Sequence, residues 1–361
     1  MQPGWLKEYF RPQTQQPADA GNPDGVSRRD VMTGGFVAGV AVGMAAAGAG
    51  LPERAEAQAV ANPLSDRWWP SPWGAQDQRG AHNRMTPAKV KEAAGLIKTG
   101  KIYPLGRVLE RGIPVFGERF GPHVVIPGSP TGGPFGTQKL YYHDELFFGE
   151  IGQIGTQFDG LGHIGMMTSD GKIHYYNGLT QDQVHGTYGL AKLGIENLPP
   201  FFTRGILLDV LSLKGGERLP IDYVITVDDI QQTLRRQNVR EPGEGDVVLF
   251  RTGHGKLWKK DNVEYNKGCP GPGLTAGRWL VDKKVAVVGA DTWPVEAVPG
   301  ENPNLPFACH ALWITMNGIY INENLDLEAL AADRAYEFAW SFNPLPLKGG
   351  TGSPGNSVAI A

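Results

Sequence analysis

The apolar positions of this chain fall in short runs separated by Gly and Pro, and only a few of them carry a helical repeat. Thr86 and Pro87 read as the N-cap and first residue of a helix. Val90, Ala93, Ala94 and Ile97 follow at i, i+3, i+4 and i+7, with Gly100 to close it. Thr226 caps a second helix, Val227–Gln237, and Thr275 a third over residues 276–281. Strand candidates are residues 102–109, 139–143, 147–158, 205–210, Val247–Arg251 and 284–288. Strands outnumber helices and do not alternate regularly with them. That pattern predicts a mixed α/β fold rather than a doubly wound parallel sheet. The loops over 110–136 and 295–306 are long, and long ordered loops often carry binding function.

Residues 147–158 form the strand candidate with a polar face. Alternation puts Gln153, Gln157 and Asp159 on one side and Ile154, Thr156 and Phe158 on the other. Glycines at 152, 155, 160 and 162 keep the backbone open beside that polar row. Asp159 and His163 fall where the strand breaks into a turn, so the row reads as one wall of a site. Further on, His310 opens a helix-like run over 311–316 that stops at Asn317-Gly318. A strand over 319–321 follows, then Glu323. The helix advances about 10 Å, and the extended return covers about 16 Å. If the chain reverses at Gly318, Glu323 comes back near the level of His310. Taken singly, Asp159 is an ordinary turn residue and His310 an ordinary cap or core histidine. His82, His123, His143, His174, His185 and His254 read as surface or structural, although His254 follows Arg251-Thr252-Gly253 and could reach a site. Asp291-Thr292-Trp293 is a weaker pocket candidate.

The N-terminus changes the picture of where the protein works. Ser27-Arg28-Arg29-Asp30-Val31-Met32 has the form of a twin-arginine export signal, and a Gly/Ala-rich apolar stretch runs from 34 to 51. Ala55-Glu56-Ala57 and Ala57-Gln58-Ala59 offer cleavage sites. The expected organisation is a disordered segment over 1–26, a signal peptide over 27–59 and one catalytic domain over 60–361. The export machinery is then a partner, and the protein is periplasmic or secreted. A retained membrane anchor is the competing reading. The net charge of −3, with no Lys/Arg block, excludes nucleic acid as a partner. The two cysteines, Cys269 and Cys309, make no disulfide framework and read as buried thiols, though they could pair in an oxidising compartment.

The polar strand also resembles a known pattern. The cyclase superfamily of metal-dependent hydrolases, which includes bacterial kynurenine formamidase and isatin hydrolase, carries the signature His-x-Gly-Thr-His-x-Asp-x-Pro-x-His. Here it stands as Gln153-x-Gly155-Thr156-Gln157-x-Asp159-x-Leu161-x-His163. Similarity extends to residues 93–106, to Arg204-Gly205-Ile206-Leu207-Leu208-Asp209-Val210, to Arg251-Thr252-Gly253, to His310 with Glu323-Asn324-Leu325, and to 349–354. The resemblance implies a twisted β-barrel-like core with helices packed against it. It implies Asp159 as a carboxylate that bridges two metals, His310 and Glu323 as further metal ligands, and His163 as catalytic acid/base. Members are commonly dimers or tetramers, so a homo-oligomer is expected.

Two signature histidines are glutamines here, and an amide oxygen is a weaker and harder donor than imidazole. Two carboxylates neutralise one divalent ion, so one metal is expected. Bound through Gln153 and Gln157 as well, it would be Mn²⁺ or Mg²⁺. Held by Asp159, His310 and Glu323 alone, it would be Zn²⁺. A metal-free site whose glutamines bind substrate is the third option. The expected function is metal-dependent hydrolysis of an amide, lactam or ester bond in a small molecule, with metal-activated water and proton transfer through His163. A lyase or cyclising enzyme on the same site, and an exported non-catalytic binding protein, are the rivals. Trp293 and Trp313, with Trp68, Trp69 and Trp73 as covers, suggest an aromatic or flat substrate, with nine Trp placed simply in core and surface as the alternative.

Overall fold

A computed structural model describes residues 64–361. The expected N-terminal segment, export signal and cleavage sites lie outside the described residues. The centre is a curled nine-stranded sheet. Its strands in chain order are β1 (Ile102–Pro104), β2 (Gln157–Asp159), β3 (Phe201–Asp209), β4 (Val247–Arg251), β5 (Val287–Ala290), β6 (Tyr320–Glu323), β7 (Glu337–Phe342), β8 (Gly352–Pro354) and β9 (Val358–Ile360). They lie side by side as β1-β9-β7-β3-β4-β5-β6-β2-β8. Strands β3, β4, β5 and β6 are parallel, and the flanking pairs are antiparallel. The architecture is therefore the expected mixed α/β fold. The parallel strands β4 and β5 are buried at every position, which is why they read as unbroken apolar runs.

Helices α1 (Pro87–Ala94), α2 (Val227–Gln237) and α3 (Leu274–Asp282) accompany the sheet, with α1 packed on β3. Helix α2 has the expected bounds, because Thr226 and Asp229 close a reciprocal capping box. Helix α1 stops at Ala94 rather than running to Gly100. Its buried positions are Lys89 and Ala93, while Val90 and Ile97 are exposed, so only Ala93 of the apolar stripe lies on the packed face. Helix α3 begins before Thr275, because the Glu301 carboxylate accepts the Leu274 N–H at 2.8 Å and supplies the cap from across a loop.

The largest correction concerns residues 147–158, which are not one strand. The chain bends through residues 149–156 and only β2 joins the sheet. Gly155 adopts φ +61°, and a Cβ there would sit 2.3 Å from Leu109 Cδ2. Gln153 therefore lies before the strand, and the shared face holds only for Gln157 and Asp159. Other differences are smaller: β1 ends at Pro104, and β5 starts at Val287 after a left-handed Lys284. On the opposite face of β2, Phe158 packs among Phe201, Tyr320 and Phe342 at ring separations of 4.5–5.2 Å. This aromatic core anchors the strand that carries the site.

Candidate active site

Strand register explains why three distant residues meet. In the β2–β6 ladder Glu323 lies directly opposite Gln157, and Ile321 opposite Asp159. Side chains at alternate positions share a face. Gln157, Asp159 and Glu323 therefore project from the same side of two adjacent strands. Glu323 ends β6 rather than following it. Gly318, at φ +62° and packed against Gly80, makes the reversal that brings β6 back.

His310 comes from helix α4 (Ala308–His310), which runs on as a π-helical stretch, Ala311–Met316. The helix starts before His310, not at it, because Glu296 caps it. One Glu296 oxygen accepts the Cys309 N–H at 2.9 Å and the other accepts the His310 N–H at 2.8 Å. The second oxygen also accepts the His310 ring Nδ1–H at 2.5 Å. That contact fixes the ring, leaving Nε2 3.4 Å from Glu323 Oε1 and 3.8 Å from Asp159 Oδ2. A carboxylate behind a histidine, setting which nitrogen faces a metal, is the usual support of a metal-binding imidazole. Glu296 was not foreseen. Its only signal was its place in the long 295–306 loop, since no local pattern connects it to His310.

Asp159, His310 and Glu323 offer ligand atoms that all lie within 4.8 Å of one another. All three are buried. Gln157 Nε2 donates to Glu323 Oε2 at 2.5 Å and to Gln153 Oε1 at 3.2 Å, and Gln153 Nε2 donates to Asp159 Oδ1 at 3.3 Å. Asp159 Oδ2 and Gln157 Oε1 are buried acceptors with no hydrogen-bond partner among the described residues. Orphaned buried oxygens are rare, and two of them beside this cluster fit a cation. Electrostatics agree. Burial and the nearby Asp159 charge push the Glu323 carboxyl up to about 8. Burial opposes protonation of His310, but hydrogen bonds to Glu296 and Glu323 overcome it and raise the ring to about 10. The cluster is short of positive charge, which a divalent ion would supply.

The cluster opens into a cavity of about 170 Å³. His163 lines it, and its ring makes no hydrogen bond among the described residues. Burial pushes this imidazole below its ordinary value, Asp159 opposes that, and His310 and Arg119 add to it. Phe116 stacks on Trp293 at 4.2 Å, Phe307 meets both edge-on, and Arg119 lies over Phe116 at 5.6 Å. Phe116 and Arg119 come from the long 110–136 loop, Trp293 from the turn after β5, and Phe307 from just past the 295–306 loop. Tyr265 also lines the cavity. It donates to Asn324 Oδ1 at 2.6 Å, while Asn324 Nδ2 donates to the Gly155 carbonyl at 2.7 Å.

Other residues singled out in the sequence lie elsewhere. Trp313 is in the core, donating to the Gly277 carbonyl. Trp68 donates to the Tyr175 carbonyl and Trp69 stacks on His174, and neither lines the cavity, nor does Trp73. His254 is buried with Nε2 3.0 Å from the Tyr265 carbonyl, and His82 with Nε2 3.2 Å from the Pro200 carbonyl. Asp291 accepts from Thr252 and the Gly253 N–H, a structural role. Cys269 and Cys309 are buried free thiols.

Comparison with known proteins agrees with this geometry. No curated protein matches the sequence. A solved structure described as a novel cyclase is 33% identical, with a TM-score of 0.72, and the match covers 80% of this chain and 96% of that one. Isatin hydrolase A from Ralstonia solanacearum is 22% identical, with a TM-score of 0.52 over 74% of this chain and 93% of its own. An isatin hydrolase bound to the product analogue thioisatinate is 18% identical, with a TM-score of 0.52 over 76% of this chain and 95% of its own. The Cyclase family itself matches residues 103–297, a span that ends before His310 and Glu323. With that match, and a relative of one-third identity sharing the fold along most of both chains, this protein belongs to the Cyclase family.

Proposed function

We propose that the protein is a metal-dependent hydrolase acting on an amide, lactam or ester bond of a small molecule. The observation that carries this is the convergence of Asp159, His310 and Glu323, the last two lining an aromatic-walled cavity, with Asp159 Oδ2 and Gln157 Oε1 left without a hydrogen-bond partner among the described residues. Solved relatives named as isatin hydrolases support the hydrolytic reading. Asp159, His310 and Glu323 would hold one divalent ion, which supplies polarisation of a carbonyl and a lowered pKa of water. The unpartnered Gln157 Oε1 favours Mn²⁺ as the harder ion, and without that donor the set suits Zn²⁺. The Gln157 amide nitrogen sits between Gln153 and Glu323, which supports one ion rather than two.

The chain's own groups divide the remaining work. Phe116, Trp293 and Phe307 offer flat apolar walls to a planar substrate, and Arg119 places a cation over that wall. Glu296 holds the His310 ring with Nε2 toward the two carboxylates. His163, kept neutral by burial, accepts a proton from water on one ring nitrogen and passes it to the departing nitrogen or oxygen. Water thus adds across the bond, its oxygen ending on the carbonyl carbon and its proton on the leaving group. Elemental analysis of protein purified without added metal should find one equivalent of a divalent ion. Products formed in labelled water should carry one labelled oxygen, and product without label would point to a lyase or cyclising reaction instead.

A further inference from the structure

The cavity carries a charge that cleaving a bond in a neutral molecule does not require. Among the described residues that line it, Arg119 is the only lysine or arginine and Glu323 the only carboxylate. The Arg119 guanidinium is held loosely. Its Nε lies 3.7 Å from Glu150 Oε2, beyond hydrogen-bond length, and the Glu150 side chain is half exposed. Its Nη1 donates to the Phe116 carbonyl only at 3.5 Å. An arginine presents five N–H donors in a planar fork, so these two long contacts leave most of the fork to water or a ligand. A second donor on the same wall is in a similar state. The Trp293 indole N–H is buried without a hydrogen-bond partner among the described residues, and such donors are rare. The wall is continuous: Phe116 stacks on Trp293 at 4.2 Å, and the guanidinium lies 5.6 Å over the Phe116 ring.

We infer that the substrate is an aromatic acid: a single-ring compound that lies on this wall and places a carboxylate on Arg119, with the carbonyl to be attacked toward His310 and Glu323. The bond that is cut rests on the hydrolase reading; the acid rests on the wall and its cation. Desolvation argues for the acid. A neutral ring seated here takes water from the guanidinium and returns no acceptor, which costs binding. A carboxylate returns two parallel N–H···O bonds in the geometry an arginine fork is built for. Orientation argues the same way. Glu323 repels a carboxylate at one end of the cavity and Arg119 attracts it at the other, so only one direction of binding is favoured. The two ends are close enough for this to matter, because the Arg119 charge acts on both His163 and Glu323. Size fits one ring: the cavity holds about 170 Å³, and an engineered cavity of about 150 Å³ takes benzene. Arg119 is thereby the residue that selects acids over neutral compounds of the same shape.

Benzoate and benzamide are the probes, because they share ring and shape and differ in charge. Titrated into the protein as purified, and followed by calorimetry and tryptophan fluorescence, benzoate should bind about 10- to 100-fold more tightly than benzamide. Arg119→Gln should remove that preference, and Arg119→Lys should keep part of it, as a charge without the fork. Glu150→Gln keeps an acceptor for the Phe120 N–H but takes the competing carboxylate from Arg119. It should tighten benzoate binding and leave benzamide unchanged, and it decides the matter if Arg119→Gln is insoluble. Equal binding of the two probes, or no benzoate binding at millimolar concentration, would overturn the proposal. So would a benzoate preference that survives Arg119→Gln; its loss on EDTA treatment would then place the carboxylate on a bound metal. Turnover separates the acid from the hydrolase reading. The para-acetoxybenzoate ester should be cleaved with a lower KM than para-acetoxybenzamide, and Arg119→Gln should abolish the difference. Arg119-dependent benzoate binding with neither ester cleaved would count against the hydrolase and leave the acid site standing. Cleavage of both esters with the same KM would overturn the acid and leave the hydrolase.

Discussion

Replacing Glu296 by Ala is the most informative perturbation of the site. The residue is 5% exposed and does not itself line the active-site cavity, yet it accepts three hydrogen bonds: from Cys309 N, His310 N and His310 Nδ1. Its removal leaves two buried helix N–H groups and one imidazole N–H without a partner. A hydrogen bond to a charged acceptor is worth about 1.5–3 kcal/mol, and bonds sharing one acceptor do not add. Losing a buried charged partner costs about 3–5 kcal/mol. Relief of repulsion toward Asp159 and Glu323 offsets part of this in the metal-free protein, so a loss of about 2–4 kcal/mol is expected there. Metal affinity should fall about 10- to 100-fold, because His310 loses the group that orients it. Glu296→Gln separates the two effects. Its amide oxygen can still accept from Nδ1, while its NH₂ faces the Cys309 N–H. It should therefore lose stability but keep affinity within about tenfold of wild type. Urea unfolding of metal-free protein and calorimetric titration with Mn²⁺ and Zn²⁺ read the two quantities. A folded Glu296→Ala protein that binds metal as tightly as wild type would refute this account of His310.

Four further outcomes are expected. His163→Ala should bind metal normally and turn over about 10²- to 10⁴-fold more slowly; loss of metal would make His163 a ligand. Replacing both Gln153 and Gln157 by His should increase zinc binding, since imidazole is the better donor, and titration showing no gain would mean that the bend before β2 holds residue 153 out of reach. Burial holds the His82 imidazole below its ordinary value against the pull of the Pro200 carbonyl, so below pH ~6.5 the unfolded chain takes up a proton that the folded one refuses. Stability from this group is present above that pH and lost as pH falls, by at most about 1.4 kcal/mol per pH unit. The raised Glu323 carboxyl acts in the opposite direction across the same window, so the readout is the difference between wild type and His82→Gln in urea at pH 7 and 5.5; a difference that does not change with pH would be contrary. N-terminal sequencing of exported protein should begin between Ala55 and Val60, and an intact N-terminus on membrane-bound protein would favour an anchor.

The sequence by itself determined the elements whose cause is local. Helix α2 is bounded by its own capping box and β4 by its own apolar run, so both were legible to the residue. The shared face of Gln157 and Asp159 follows from strand alternation, and the family resemblance of the later segment, His310 with Glu323-Asn324-Leu325, added His310 and Glu323. What the sequence could not decide is whatever a distant partner supplies. Helix α3 starts early because of Glu301, and α4 because of Glu296, and neither carboxylate is within reach of a local pattern. The strand expected over 147–158 breaks because Gly155 must pass tightly beside Leu109, a neighbour from another part of the chain. Trp293 and Trp313 look equivalent in sequence, yet one lines the cavity and the other fills the core, because the chain between them leaves the end of β5 and returns as a helical stretch packed on α3. Periodicity reports which side of an element is apolar. Only the packed fold decides what that side meets.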